Sequence, residues 1–293
     1  RVPVHSSILG TDQNNPNPVF TSSIQELFHI FPEIILEKVT LQELRSENFQ
    51  IIPPQDGERK VIVFDIETDE DLDQAVQITL TGSYPFLYVG SLGLAEALGR
   101  IVVSQAHLKD REFKPEKVLN SDFQRMLFVS GSPNPITQKQ IAYLKSHSKL
   151  QFIEVEPLRL LNKAQYLINL SDKVSEAINN AKMVFIHINP CTEKLLNSSS
   201  SLAVHYGKLV EEVLASTEID VLVINGGETA YWVCRMVGIE SIKIGGKISE
   251  VVAYGQPVSQ RSKIKLIITK GGSVGEIDIF ADILNSLDRL SFL

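Results

Sequence analysis

The sequence predicts an α/β protein of two domains, with largely parallel sheets covered by helices. Three observations carry this reading. Continuously apolar, β-branched runs such as KVIVFDI (60–66), RMLFVSG (125–131) and DVLVING recur along the chain. Amphipathic stretches of helical period lie between them. The strands are apolar throughout rather than alternating, as strands of parallel sheets buried on both faces are.

Taken in order, the opening RVPVHSSILGTDQNNPNPVF is rich in Asn and Pro and reads as an extended loop or linker. In SSIQELFHIF, Ser22 or Ser23 can cap a helix whose Ile24, Leu27, Phe28 and Phe31 share a face. PEIILEKVTLQELR reads as a short strand and a short helix. KVIVFDI leads into ETDEDLDQAVQITL, a helix whose acidic first turn suits its dipole. Asp65, at the strand's end, could contact a substrate, but reads first as an acidic cap in the turn before the helix. PFLYVG (85–90) reads as a strand before the helix SLGLAEALGRIVV, and RMLFVSG as a strand before PITQKQIAYLKSH. QFIEVE, KMVFIHI, DVLVING and KLIITKGG complete the strands. HLKDREFKPEKVLNSD (107–122) is charged, holds Pro115 and lacks an apolar period, so the domains are expected at 1–115 and 116–293. NSSSS (197–201) reads as a flexible loop.

Composition removes several function classes. Hydrophobic residues make up 43% and charged residues 22% of the 293, ordinary for a globular protein. A formal net charge of −7 argues against a nucleic-acid binder, which needs a basic face. No apolar run approaches the roughly 20 residues of a membrane span. Two cysteines, Cys191 and Cys234, are too few for a disulfide framework or a thiolate metal site, and read as buried and reduced. A cytoplasmic location is expected. The six histidines show no metal-ligand spacing, and His187 reads as a satisfied core histidine.

Four small polar loops follow predicted strands: YVGSLGLAEAL (88–98), FVSGSPNPITQ (128–138), VINGGETAYW (223–232) and IITKGGSVGE (267–276). Ligands of open α/β sheets bind at such strand ends. Glycine lets backbone N–H groups approach a ligand, and a helix N-terminus adds orphan donors and partial positive charge. Taken singly, each loop is a strand-to-helix turn with a Ser or Thr cap; four together point to a nucleotide site. Ser132 or Thr229 can donate to a phosphate oxygen, and Lys270 can add a point charge. Glu228 either complements the helix dipole or reaches a ribose hydroxyl or a metal-bound water. Tyr231 and Trp232 read as helix packing. Neither GxxxxGK[ST] nor a strand-anchored GxGxxG is present, which counts against a P-loop protein and a nucleotide-cofactor oxidoreductase.

The segments VIVFDIETDEDLDQAV, YVGSLGLAEAL, FVSGSPNPITQKQI, VINGGETAYWVCRMVGI and ITKGGSVGEIDIF resemble, in order and spacing, the four-carbon acid sugar kinases, from about Asp12 to Leu284. The family also carries the labels type III effector Hrp-dependent and domain of unknown function. The resemblance implies an ATP- and Mg²⁺-dependent kinase acting on a sugar acid such as threonate or erythronate. It further implies an N-terminal sugar-acid domain and a C-terminal nucleotide domain. A homodimer is a separate expectation. Ser132, the Gly226–Gly227–Glu228–Thr229 turn, and Gly271 or Gly272 match the family's ATP-contacting positions. Ser91 and Gly93 would line a cleft that closes over the substrate. Three departures stand out. Pro133 replaces the cysteine usual after the SGS turn, KGGSVG stands for a KxGNFG pattern, and the front motifs resembling DDxTG and DSTLRG have no counterpart here. The expectation is that the front of the sugar-acid domain, and the catalytic base with it, lies outside this sequence. The alternative is a nucleotide-binding regulatory protein without kinase activity.

Overall fold

The structure, a computed structural model, describes residues 20–82, 84–105, 123–189, 199–258 and 263–290. It divides into two compact units, the described residues up to 105 belonging to the first and those from 123 onward to the second. The linker read at 107–122, Cys191 and the first part of NSSSS lie outside the described residues.

In the first unit, α1 (Ile24–Phe28) is capped by Ser23, whose hydroxyl accepts from Glu26 N–H. Strand β1 (Ile34–Val39) pairs in parallel with β2 (Arg59–Phe64), from Ile34 opposite Arg59 to Val39 opposite Phe64. Between them α2 (Leu41–Leu44) starts on a reciprocal cap of Thr40 and Glu43. Helix α3 (Asp69–Thr81) starts on a second such cap, Thr68 with Asp71, and α4 (Leu92–Gln105) follows Ser91 and contains Gly93. Val39, Leu44 and Ala75 form the core.

Asp71 does more than cap. It takes Arg45 Nε at 2.7 Å and Nη2 at 2.8 Å, and accepts from the N–H groups of Thr68 and Glu67. The Arg45 guanidinium, with those two amides, holds its carboxyl well below the usual range. Asp65, expected as the cap, instead pairs with Lys38 at 3.1 Å. PFLYVG, expected as a strand, is irregular, with Leu87 91% and Val89 87% exposed. Its apolar pattern suits a strand, but it pairs with no described strand.

The second unit is a seven-stranded sheet with two helical layers. Its strands are β3 (Met126–Ser130), β4 (Gln151–Val155), β5 (Met183–Ile188), β6 (Val221–Asn225), β7 (Ile242–Ser249), β8 (Val252–Pro257) and β9 (Leu266–Lys270). The order is β4-β5-β3-β6-β9-β8-β7; the first five are parallel, β8 runs antiparallel to β9, and β7 antiparallel to β8. The β7–β8 hairpin has no counterpart in the sequence reading, because paired glycines interrupt the apolar run of IKIGGKIS.

Alternate strand residues feed two cores. Leu127, Val129, Ile186 and Ile224 meet α7 (Ala164–Ala181), α8 (Ser199–Ser216) and α9 (Gly227–Val237) through Val174, Tyr206 and Val233. Phe128, Phe185, Val223 and Ile268 meet α5 (Pro135–His147) and α10 (Ile279–Leu290) through Ile141, Phe280 and Ile283. A further short helix, α6 (Pro157–Asn162), contributes Leu160 to the first of these cores. Crossovers in opposite directions along the sheet use opposite faces, as right-handed connections require. Ser201 of NSSSS, expected in a loop, lies in the first turns of α8.

Candidate functional site

The loop after β3 turns to α5 on one face of the sheet. The loop after β6, the neighbouring strand, turns to α9 on the other. Where adjacent strands send their connections to opposite faces, a crevice opens at the carboxyl edge. That crevice is where FVSGSPN and VINGGET end up. The loop after β9, on the other side of β6, joins them.

The three turns touch. A Cβ built on Gly272 would stand 2.9 Å from Ser132 Oγ and 3.8 Å from Gly226 Cα, and one on Gly131 would stand 2.6 Å from Thr229 Oγ1. Gly226 has φ +104°, a conformation side chains rarely adopt. Its N–H donates to the Lys270 carbonyl at 2.8 Å, joining the GGET and KGG turns, and its carbonyl accepts from Ala230 N–H. Helix α9 then begins at Gly227, and no described side chain caps it. The N–H groups of Gly227, Glu228 and Thr229 are thus left for an outside acceptor. A Cβ at Gly227 would meet nothing within 4 Å.

The predicted residues therefore divide. Ser132, Gly226, Gly227, Glu228, Thr229, Gly271 and Gly272 all come to this edge of the second unit. Gly227, Glu228 and Gly271 are exposed, whereas Thr229 is 5% exposed and its hydroxyl faces Gly131. Ser132 is half-buried, and its Oγ accepts from Asn134 N–H at 3.3 Å. The loop at 88–98 belongs to the first unit. Tyr231 and Trp232 lie on α9 with the Arg235 guanidinium over both rings. Cys234 is a half-buried free thiol, its pKa raised by burial.

Beneath the turns runs a layer of which the sequence reading singled out only His187 and Lys270. Ser130, His187, Asn225 and Lys270 occupy one row across the sheet, with Glu154 at its end. Asn225 is 1% exposed; its Nδ2 donates to Ser130 Oγ at 2.9 Å and to Thr137 Oγ1 at 3.4 Å, while its Oδ1 accepts from Lys270 Nζ at 3.0 Å. An ammonium only donates, so Lys270 fixes which way this amide points. Helix α5 ties down the KGGSVGE loop. Thr137 donates to the Gly272 carbonyl, and Gln140 Nε2 donates to the carbonyls of Val274, Gly275 and Glu276. His187 corrects the expectation of a satisfied core histidine. Its Nδ1 meets the Ile188 carbonyl at 3.1 Å, but buried Nε2 has no partner among the described residues, and burial lowers its pKa.

Lys270, considered a phosphate-contacting cation, is 4% exposed and donates to Asn225 Oδ1 and, at 2.7 Å, to the Gly271 carbonyl. Burial pushes its pKa down to about 8. Between that value and the ordinary 10.5 the unfolded chain binds more protons than the folded one, so stability rises with pH across this window. Below about 8 the cost of burying the charge is present in full; above 10.5 it is gone. The shift corresponds to on the order of 3 kcal/mol. We expect the stability difference between wild type and Lys270→Met, from urea unfolding, to move in favour of wild type from pH 7.5 to 10. Parallel pH profiles would refute the buried charge.

Among the described residues, no group of three or more His, Cys, Asp or Glu side chains could hold a metal ion, and no helix is long and apolar enough to cross a membrane. Comparison with known proteins agrees with the geometry. Residues 127–280, more than half of the chain, match the family model described as nucleotide-binding C-terminal domain. The chain belongs to this family. The match spans β3 to the first turn of α10 and so contains all three turns. A D-erythronate kinase of Heliobacterium modesticaldum is 22% identical over 241 residues, covering 75% of this chain and 52% of its own. The chain thus spans about half the length of this curated relative. A Salmonella typhimurium LT2 protein, provisionally named a tRNA synthase, shares the fold with a TM-score of 0.66 at 17% identity, over 92% of this chain and 64% of its own. A domain of unknown function (DUF1537) from Bordetella bronchiseptica, solved with citrate as a domain-swapped dimer, gives 0.51 at 19% identity, over 98% and 65%. The family model and the kinase relative agree with the resemblance that the sequence motifs carry, and the two solved structures show the shared fold.

Proposed function

We propose that this chain carries the nucleotide-binding half of an ATP-dependent kinase that phosphorylates a hydroxyl of a four-carbon sugar acid of the threonate or erythronate type. The observation that carries the reading is the uncapped start of α9 at a topological switch point, with an open approach at Gly227. The residues present fit a polyphosphate: backbone donors, partial positive charge and no Cβ in the way. When bound, ATP would supply the phosphoryl group and Mg²⁺ would offset the negative charge of its phosphates.

In this reading the N–H groups of Gly227, Glu228 and Thr229 hold phosphate oxygens. Gly271 and Gly272 form the opposite wall, and Ser132 contacts the nucleotide from the β3 side. Phosphoryl transfer has a loose transition state, so the protein's contribution is mostly to position and to stabilise charge. The phosphoryl group leaves its bridging oxygen for the acceptor hydroxyl, which loses its proton. No residue of this chain is assigned as the base. The reading includes a cytoplasmic homodimer, its second element supported by the domain-swapped Bordetella relative.

The experiment is the melting temperature of this chain with and without MgATP and MgADP, followed by ADP formation with threonate and erythronate in a protein that also carries the sugar-acid-binding front. A ligand at 100 times its Kd stabilises by about 2.7 kcal/mol, which a melting curve resolves. We expect both nucleotides to raise the melting temperature. No rise would overturn the nucleotide site. A rise without ADP formation on either acid would favour the regulatory protein over the kinase.

A further inference from the structure

The Lys270 ammonium is buried, and both of its hydrogen-bond partners among the described residues are neutral: an amide oxygen and a backbone carbonyl. Buried charges are normally paired. This one sits at the carboxyl end of β9, and the carbonyl of the same residue receives the N–H of Gly226, one position before the uncapped helix. Two sources of positive potential, a buried ammonium and an open helix N-terminus, are thus tied to one turn. Asn225 connects them to the rest of the edge. Its amide reaches β9 through Lys270, β3 through Ser130 and α5 through Thr137, and Thr137 in turn holds Gly272.

We propose that Lys270 and Asn225 form a buried cationic brace that fixes the three glycine turns and supplies counter-charge from beneath to a phosphate ligand, without touching it. The proposal rests on the nucleotide reading above and deepens it. Lys270 acts through space and Asn225 through the turns, so both are positioning residues. A field from a fixed charge is strong where water is excluded. The lowered proton affinity of Lys270 agrees with a cation lacking a carboxylate partner.

The test separates charge from mere support. Asn225→Asp keeps the shape of the side chain and still accepts from Lys270, while the Ser130 hydroxyl can rotate to donate to it and Thr137 keeps its hydrogen bond to the Gly272 carbonyl. It places a carboxylate beside the ammonium and cancels its field. Lys270→Met removes the charge by a second route. Titration calorimetry on the full chain would give Kd for MgATP and MgADP, alongside melting temperatures without nucleotide. We expect Asn225→Asp to keep its melting temperature and to bind MgATP about tenfold or more weakly. MgADP, with less phosphate charge, should lose less, and Lys270→Met should show the same order. Unchanged affinities in both variants, or equal losses for the two nucleotides, would overturn the brace while leaving the nucleotide site standing. A wild type that binds neither nucleotide would overturn both.

Discussion

Replacing Phe185 by alanine should cost the second unit about 3–5 kcal/mol, the range for a fully buried aromatic removed from a packed core. Phe185 is 0% exposed at the middle of β5. Its ring stacks on Phe128 of β3 with centroids 5.4 Å apart and on Phe152 of β4 at 5.5 Å, and it meets Phe280 of α10 edge-on at 5.1 Å. Truncation therefore opens a cavity between three strands and a helix. Surrounding side chains cannot fill it, because the sheet fixes their backbones. The remaining partners also lose aromatic contacts worth about 0.5–1.5 kcal/mol each beyond area burial. A domain's stability is typically about 5–15 kcal/mol, so the loss is a large fraction of the total. Urea unfolding followed by Trp232 fluorescence, a probe within the second unit, would read it. A loss under about 1 kcal/mol would mean that this stack does not organise the core.

That stack also shows how far sequence reasoning reaches. The strands holding Phe128 and Phe185 were legible because a continuous apolar run bounded by turn residues has few other uses. The turns after β3, β6 and β9 were legible for the converse reason: glycine and hydroxyl residues interrupt such runs at the carboxyl edge of the sheet. The same logic failed at PFLYVG, whose apolar residues satisfy the pattern but pair with no described strand. It also missed the hairpin of β7 and β8, where Gly245 and Gly246 blur the period. Asn225 stood inside the quoted NGGET motif and passed unremarked, as did Thr137 and Gln140 in the helix that follows SGS. Their roles depend on partners distant in sequence: Lys270 is 45 positions from Asn225, and Gly272 and Gly275 are each 135 positions from the α5 side chains that hold them. A hydrogen bond of that span leaves no local period. The available signal was chemical: a carboxamide as the last residue of an otherwise apolar strand, and Thr and Gln three apart on one helix face.

Replacing Gly227 by valine should abolish the thermal shift produced by MgATP and leave the fold intact. Gly227 is the first residue of α9, its φ is not in the left-handed region, and an added Cβ would meet nothing within 4 Å. Valine in a helix carries a propensity cost below about 1 kcal/mol, so the apo melting temperature should barely move. The branched side chain would nonetheless stand among the three free N–H groups that are proposed to hold phosphate. The stabilisation of about 2.7 kcal/mol expected at 100 times Kd should vanish. Gly226→Ala is the informative contrast. With φ +104° its cost falls on the fold itself, about 1–3 kcal/mol whether or not nucleotide is present. The two neighbouring glycines should therefore separate, one required by the backbone and the other by the ligand. A Gly227→Val protein that retains the full MgATP shift would place the nucleotide elsewhere, because nothing among the described residues requires that position to lack a side chain.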